Sequence, residues 1–149
     1  MTQMQVILLI NGPNLNKLGS RNQHIYGSKT LAEIEQEVAK ESVKQGFTIK
    51  SFQSNHEGYL IDFIQAESIH ASGIIINPGG LGHTSIALRD ALVDSGIPTA
   101  EVHISNIYER EEFRHRSVTE LSGVKSIVGQ GWKGYIQALL QLVNKINNG

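Results

Sequence analysis

Short apolar runs alternate with longer segments of helical periodicity along the whole chain, and this alternation restricts the fold more than any other feature. Residues 6–10 are continuously apolar and mostly branched, as in a parallel strand that is covered on both faces. Such alternation predicts one α/β domain, residues 1–149, in which helices cover both faces of a five-stranded parallel sheet. The predicted strands are residues 6–10, 47–52, 73–76, 98–103 and 125–128, and the predicted helices are residues 30–45, 56–69, 84–95 and 134–146.

The composition excludes several classes of protein. A net charge of −1 over 149 residues gives no electrostatic reason to expect nucleic-acid binding. The absence of cysteine excludes disulfides, thiolate metal sites and a cysteine nucleophile. The apolar runs are too short to cross a bilayer, and the opening MTQMQVILLI lacks the cationic start and cleavage site of a signal peptide. We therefore expect a cytoplasmic protein that binds neither membrane nor nucleic acid.

Polar side chains follow three of the predicted strands. Ligands of parallel α/β sheets bind beyond the carboxyl ends of the strands, near the point where the strand order reverses. In the order 2-1-3-4-5, strands one, three and four are neighbours, so their ends would meet in one crevice. The side chains concerned are Asn11, Asn14, Asn77, His103, Ser105 and Asn106. The sequence therefore predicts a site at this edge of the sheet.

Glu101 and His103 end the fourth predicted strand two residues apart. Side chains at that spacing share one face of a strand, so the carboxylate can hold one imidazole nitrogen and raise its basicity. Arg110 and Arg114 follow, and on a helix they would share a face and repel each other, which indicates an anionic ligand or carboxylate partners. The alternative is a surface helix with the (i, i+4) pairs Glu111–His115 and Glu112–Arg116.

Residues 11–29 show no periodicity, and a loop of that length is usually an active-site lid or disordered. The loop carries Arg21 and Tyr26, and a guanidinium beside a phenol favours the phenolate, which can act as a general base. The alternative is a surface loop on which the tyrosine ring packs locally. From spacing alone, both interpretations stay open.

The glycine-rich segment NPGGLGHTS, residues 77–85, precedes a predicted helix but lacks the lysine of a phosphate-binding loop. A structural turn is the simpler interpretation of this segment. His83 and Asp90 are seven residues apart, which is no recognised metal-ligand spacing, so a hydrogen-bonded pair is favoured over a metal site. No cofactor motif is present. Together, the features fit proton abstraction and elimination from a small carboxylate-bearing molecule.

The segments NGPNLNKLG, RNQHIYG, SNHEG, NPGGLGHTS, EVHISN and EREEFRHRS resemble, in this order, the type II 3-dehydroquinate dehydratases, over about residues 6–138. The resemblance implies a flavodoxin-like three-layer fold and a cofactor-free, metal-free conversion of 3-dehydroquinate to 3-dehydroshikimate. It implies that Tyr26 is the base, with Arg21 favouring its ionised form. It further implies that Asn14 holds a water that stabilises the enolate, and that His103, oriented by Glu101, protonates the departing hydroxyl.

The resemblance also assigns residues to the substrate. The implied substrate-binding residues are Asn77, His83, Ile104, Ser105 and Arg114, with Arg110 as a lid and active-site support. Asp90 is implied to reach a neighbouring subunit's site, and hence trimers that assemble into a homododecamer. The reaction would serve the shikimate pathway of aromatic amino acid biosynthesis or quinate catabolism.

Three positions depart from the family pattern. Gly82 stands where threonine is usual, which predicts a looser His83 loop or one lost hydroxyl contact. Asn22-Gln23 replaces Glu-Pro in the lid and should alter its stiffness, and Lys17 replaces an apolar residue. Two rival functions stay open: a flavodoxin-like module that binds FMN or a phosphorylated ligand, and an inactive homologue.

Overall fold

In the computed structural model, which describes residues 3–149, five parallel strands form a sheet in the order β2-β1-β3-β4-β5. The strands are β1 (Gln5–Asn11), β2 (Phe47–Gln53), β3 (Gly73–Asn77), β4 (Thr99–His103) and β5 (Ile127–Val128). The helices are α1 (Gln23–Tyr26), α2 (Leu31–Lys44), α3 (Glu57–Glu67), α4 (Ile86–Ser95) and α5 (Lys133–Asn148). The predicted strand order is confirmed. Within residues 3–149, no helix is long and apolar enough to span a membrane.

Alternate residues of β1 point to opposite faces of the sheet and so divide the core into two apolar layers. Ile7 and Leu9 pack in the layer that contains the buried faces of α2 and α5. Leu8 and Ile10 pack in the layer that contains α3 and α4. All four side chains are fully buried, which explains why residues 6–10 are all apolar. The expected three-layer arrangement is confirmed.

The ends of the helices follow local hydrogen-bonding rules. Helix α2 begins with a capping box, in which the Glu33 amide donates to Thr30 Oγ1 at 3.2 Å and the Thr30 amide donates to Glu33 Oε1 at 3.0 Å. Gly46 follows that helix with φ 89°, a conformation that favours glycine. Helix α4 begins later than predicted, because Ser85 rather than Thr84 caps it and accepts from the Leu88 amide at 2.9 Å.

Two segments differ from their predictions. Residues 11–29 contain two helical turns, the 3₁₀ turn Leu15–Lys17 and helix α1. The arginine-rich segment after β4 forms two 3₁₀ turns, Ile107–Glu109 and Glu112–Arg114, instead of a regular helix. The alternative of a surface helix with an (i, i+4) pair of Glu111 and His115 is therefore wrong. Glu111 binds Arg114 at 3.1 Å, and His115 Nε2 lies 2.8 Å from the Arg110 carbonyl oxygen.

Candidate active site

A cavity of about 150 Å³ lies beyond the carboxyl ends of β1, β3 and β4, where the strand rule predicts it. Its walls come from the loop after β1, the turn after β3 and the segment after β4. Most of the predicted site residues line this cavity: Asn14, Arg21, Tyr26, Asn77, His83, His103, Ile104, Ser105, Arg110 and Arg114. Glu101 lies behind His103, and Asp90 lies elsewhere.

Glu101 and His103 form the pair that their strand spacing predicts. His103 Nε2 lies 3.0 Å from Glu101 Oε2, and the two side chains are almost fully buried. With Nε2 held by the carboxylate, Nδ1 is the nitrogen left for a ligand in the cavity. The ring of His83 stacks on that of His103 at 5.7 Å between centroids. The orientation of the His103 ring is therefore fixed by Glu101 at one nitrogen and by the stacked ring of His83.

Two hydroxyl groups complete the surroundings of Glu101. Ser117 donates to Oε2 at 2.5 Å, and Thr119 donates to Oε1. Burial raises the pKa of Glu101, but the hydrogen bond and charge of His103, together with the two hydroxyls, outweigh burial and hold the pKa below its usual value. The carboxylate is thus kept ionised although it lies in the protein interior.

Tyr26 lies between two guanidinium groups. Arg110 Nη1 donates to the phenol oxygen at 2.7 Å and Arg21 Nη2 at 3.2 Å, and the Arg21 guanidinium also lies over the ring at 4.0 Å from its centroid. Arg21 is the partner that the sequence predicts, but the closer contact comes from Arg110, which is 84 positions away. Two guanidinium groups thus donate hydrogen bonds to one phenol oxygen.

Asn14 is held in a left-handed conformation with φ 71°. Its amide donates to Asn55 Oδ1 at 2.9 Å, and Gln53 donates to the same oxygen at 3.3 Å. Asn55 comes from the segment after β2, which the motif SNHEG marks but to which the sequence assigns no role. The anchored backbone leaves the Asn14 side chain at the wall of the cavity.

A buried polar chain joins β1, β3 and α5 beneath the cavity. The Tyr135 hydroxyl donates to Asn11 Oδ1 at 2.6 Å and accepts from Asn77 Nδ2 at 2.9 Å. Asn77 Oδ1 accepts from the Gly79 amide at 3.1 Å and so fixes the turn after β3. Burial raises the pKa of Tyr135 far above its usual value, which keeps this hydroxyl protonated as a donor. The sequence patterns predict Tyr135 only as part of the last helix and give no sign of its role in this chain.

His83 and Asp90 do not form the polar pair that was favoured over a metal site. His83 Nδ1 lies 2.8 Å from the Arg116 carbonyl oxygen, and burial lowers its pKa below the usual value for histidine. Asp90 lines a separate depression with Ile86, Arg89 and Arg116. In the part of the chain that the structure describes, no three His, Asp or Glu side chains are grouped as metal ligands.

Arg110 and Arg114 share one carboxylate, that of Glu111. Arg114 Nε lies 3.1 Å from Glu111 Oε2, and Arg110 Nε lies 3.7 Å from Glu111 Oε1. Glu111 is the carboxylate partner that like-charge spacing predicts, although not by helical geometry. Both arginines keep contact with the cavity, so its rim is positively charged.

The structure shows the contacts made at two of the departures, Gly82 and Gln23. The Gly82 carbonyl accepts from the Val118 amide at 2.7 Å, which ties the His83 loop to the segment that carries Ser117 and Thr119. Gln23 Nε2 donates to the Gly19 carbonyl at 2.7 Å, a contact within the lid that proline cannot make.

Comparisons with known proteins agree over nearly the whole chain. The sequence model of the family described as Dehydroquinase class II matches residues 5–143. A 3-dehydroquinate dehydratase of Halothermothrix orenii is 51% identical over 146 residues, 98% of this chain and 99% of that protein. Catabolic 3-dehydroquinase 2 of Neosartorya fischeri is 48% identical over 143 residues, 96% and 95% of the two chains. The crystal structure of a type II dehydroquinase from Butyrivibrio crossotus superposes with TM-score 0.90 and 46% identity, over 96% of this chain and 99% of that chain.

Proposed function

This chain belongs to the class II dehydroquinase family and to its enzyme class, the hydro-lyases, and from that membership we propose how its residues remove water from 3-dehydroquinate. Tyr26 is the base and His103 the acid. The observation that carries this assignment is that both side chains line one cavity and that their polar partners carry opposite charges. Two guanidiniums contact the Tyr26 oxygen, whereas a buried carboxylate holds His103.

The first step is removal of the proton beside the ketone. The Tyr26 phenolate takes this proton, and the electron pair of the C–H bond moves into the enolate. Asn14, anchored through Asn55, holds a water that donates to the enolate oxygen. The cationic rim of the cavity, with Arg21, Arg110 and Arg114, favours the carboxylate of the substrate and the negative charge that develops.

The second step expels the C1 hydroxyl. The enolate electrons form the new carbon–carbon double bond while the carbon–oxygen bond breaks, and His103 gives its proton to the leaving oxygen, which departs as water. Glu101 keeps the imidazole oriented and stabilises its cationic form. The proton on Tyr26 then passes to His103, directly or by way of solvent, which restores both groups. The net change is 3-dehydroquinate to 3-dehydroshikimate and water.

Substrate contacts are proposed for the wall residues. We assign Asn77, His83, Ile104, Ser105 and Arg114 to substrate binding. Arg110, which contacts both Tyr26 and Ser105, joins the lid to the site. We propose that all 149 residues form a single catalytic domain that needs no metal or cofactor.

We propose assembly into a cytoplasmic homododecamer, a tetramer of trimers, in which Asp90 reaches a neighbouring subunit's site. In support, Asp90 lies away from the cavity of its own chain, and Ile86 and Val93 on the same face of α4 are 65% and 50% exposed. The reaction serves the shikimate pathway or quinate catabolism. Analytical ultracentrifugation tests the assembly, and a monomer at assay concentration would exclude it.

The proposed function is tested by adding 3-dehydroquinate to purified protein and following the ultraviolet absorbance of the conjugated product. Parallel samples contain a chelator, or borohydride together with substrate. We expect product in both, because the residues described at the cavity wall include no lysine that forms a Schiff base. No product from folded protein would overturn the function, and a bound flavin in its spectrum would favour the FMN-binding module instead.

A further inference from the structure

The segment after Arg116 places two hydroxyl groups on the two oxygens of one buried carboxylate. Ser117 contacts Glu101 Oε2 at 2.5 Å, and Thr119 contacts Oε1. The two hydroxyls also lie 3.3 Å from each other. Ser117 and Thr119 are two residues apart, and the bend at Val118 and Thr119 brings both hydroxyls to the same carboxylate. Thr119 has no exposed surface, unlike Ser117.

This segment is fixed on both sides by its backbone. The Val118 amide donates to the Gly82 carbonyl at 2.7 Å. Arg89 Nη1 donates to the Val118 and Glu120 carbonyls, each at 3.0 Å. The backbone on either side of Thr119 is therefore held by the loop after β3 and by helix α4, so the place of Thr119 does not depend on its contact with Glu101 alone.

His103 and Thr119 both lie close to Gly82. A Cβ built on Gly82 would lie 3.3 Å from His103 Cε1 and 3.4 Å from Thr119 Oγ1. The His103 ring and the Thr119 hydroxyl thus pack against the same bare backbone. Since the isosteric Thr119→Val keeps the shape, it removes little besides the hydrogen bond to Glu101.

We propose that Thr119 is a positioning residue for the acid: its hydroxyl holds Glu101 Oε1 so that Oε2 faces His103. This inference rests on the proposed function. A carboxylate held only at Oε2 can rotate about its last bond, and the direction of the His103 ring is then no longer set by one geometry. Without the Thr119 hydroxyl, one donor fewer opposes the effect of burial, so the pKa of Glu101 should rise.

The test compares wild type with Thr119→Val, Thr119→Ser and Thr119→Ala. We expect Thr119→Val to lower kcat about 10-fold or more, as for loss of a hydrogen bond to a buried charge, with KM within about twofold. Carbon-13 NMR of the Glu101 carboxyl should show its titration midpoint at higher pH. Thr119→Ser should restore both readouts. The matched control is Thr99→Val in β4, the strand that also contains Glu101. This substitution removes a hydroxyl that donates to the Ile97 carbonyl at 3.3 Å.

The outcomes separate this inference from the proposed function. Wild-type kcat and an unchanged Glu101 titration in Thr119→Val would overturn the inference, as would a loss of kcat without any change in that titration. If Thr119→Val does not fold, Thr119→Ser and Thr119→Ala decide, because both lack the methyl group and differ only in the hydroxyl; equal kcat in the two would overturn it. Wild-type protein that does not turn over 3-dehydroquinate fails the proposed function, and the Glu101 titration then still tests the hydroxyl.

Discussion

At the scale of single residues, the proposed base and the proposed acid have opposite surroundings. The Tyr26 oxygen accepts hydrogen bonds from the guanidiniums of Arg21 and Arg110. His103 Nε2 faces the buried carboxylate of Glu101. Opposite surroundings of two titratable groups are a common basis for assigning a base and an acid. The resulting division of roles leads to two predictions about side chains.

Replacing Tyr26 with phenylalanine should abolish turnover and leave binding largely intact, because only the oxygen that accepts the proton is lost. We expect kcat to fall by about 10³-fold or more, as when a general base is removed. Product affinity, measured by calorimetry, should change by less than about fivefold. Tyr108→Phe is the matched control, since Tyr108 is 55% exposed and does not line the cavity. Strong residual activity in Tyr26→Phe would place the base elsewhere.

Arg110→Met should lower kcat by about 10- to 100-fold, because a charged donor at 2.7 Å from the Tyr26 oxygen is lost. Arg21 keeps its contact at 3.2 Å, so we expect the loss to be partial. Steady-state kinetics at fixed pH measure the effect. Arg116→Met, at an exposed position on the same segment, is the control and should keep the wild-type rate. A wild-type kcat in Arg110→Met would show that the contact has no part in turnover.

At the scale of elements, the helices and strands could be predicted from local sequence patterns, whereas the contacts between loops could not. The capping box of α2 and the face shared by Glu101 and His103 depend on residues two or three apart, so their spacing suffices. The contact of Arg110 with Tyr26 joins residues 84 apart through two irregular segments, and no periodicity encodes it. The spacing of Arg110 and Arg114 did not predict their structure, because (i, i+4) spacing places side chains on one face only in an α-helix and this segment forms 3₁₀ turns.

The lid should be loosened by Gln23→Ala. The Gln23 side chain bonds the Gly19 carbonyl at 2.7 Å, and helix α1 depends on that fold of the lid. A neutral hydrogen bond contributes about 0.5–1.5 kcal/mol, so the amides of Ile25, Tyr26 and Gly27 should exchange with deuterium roughly 2- to 10-fold faster. Gln45→Ala, at the end of α2, is the control and should leave those amides unchanged. Unaltered exchange in Gln23→Ala would mean that other contacts fix the lid.

At the scale of the whole molecule, the sheet is what brings the site together. Asn11, Asn77 and His103 end three neighbouring strands, and the carboxyl ends of parallel strands lie at one edge. For this reason the location of the cavity was predictable from the order of elements. The buried chain from Asn11 through Tyr135 to Asn77 was not, because α5 contributes a hydroxyl from a face that otherwise contains only apolar core.

Acid should destabilise the fold partly through Glu101. Its pKa in the fold lies below the ordinary 4.5, so the unfolded chain takes up this proton at a higher pH than the folded chain. The stabilisation is therefore fully present above about pH 4.5 and is lost as the pH falls through the folded pKa.

The side chain in Glu101→Gln cannot titrate. At pH 7 this substitution should lower Tm by roughly 3–10 °C, because about 1–3 kcal/mol of hydrogen bonding to a charged group is lost. The difference from wild type should narrow as the pH falls below 4.5, measured by thermal unfolding. Glu120→Gln, at an exposed position on the segment that carries Thr119, should follow wild type at every pH. A difference between Glu101→Gln and wild type that stays constant into acid would show that the Glu101 charge does not stabilise the fold.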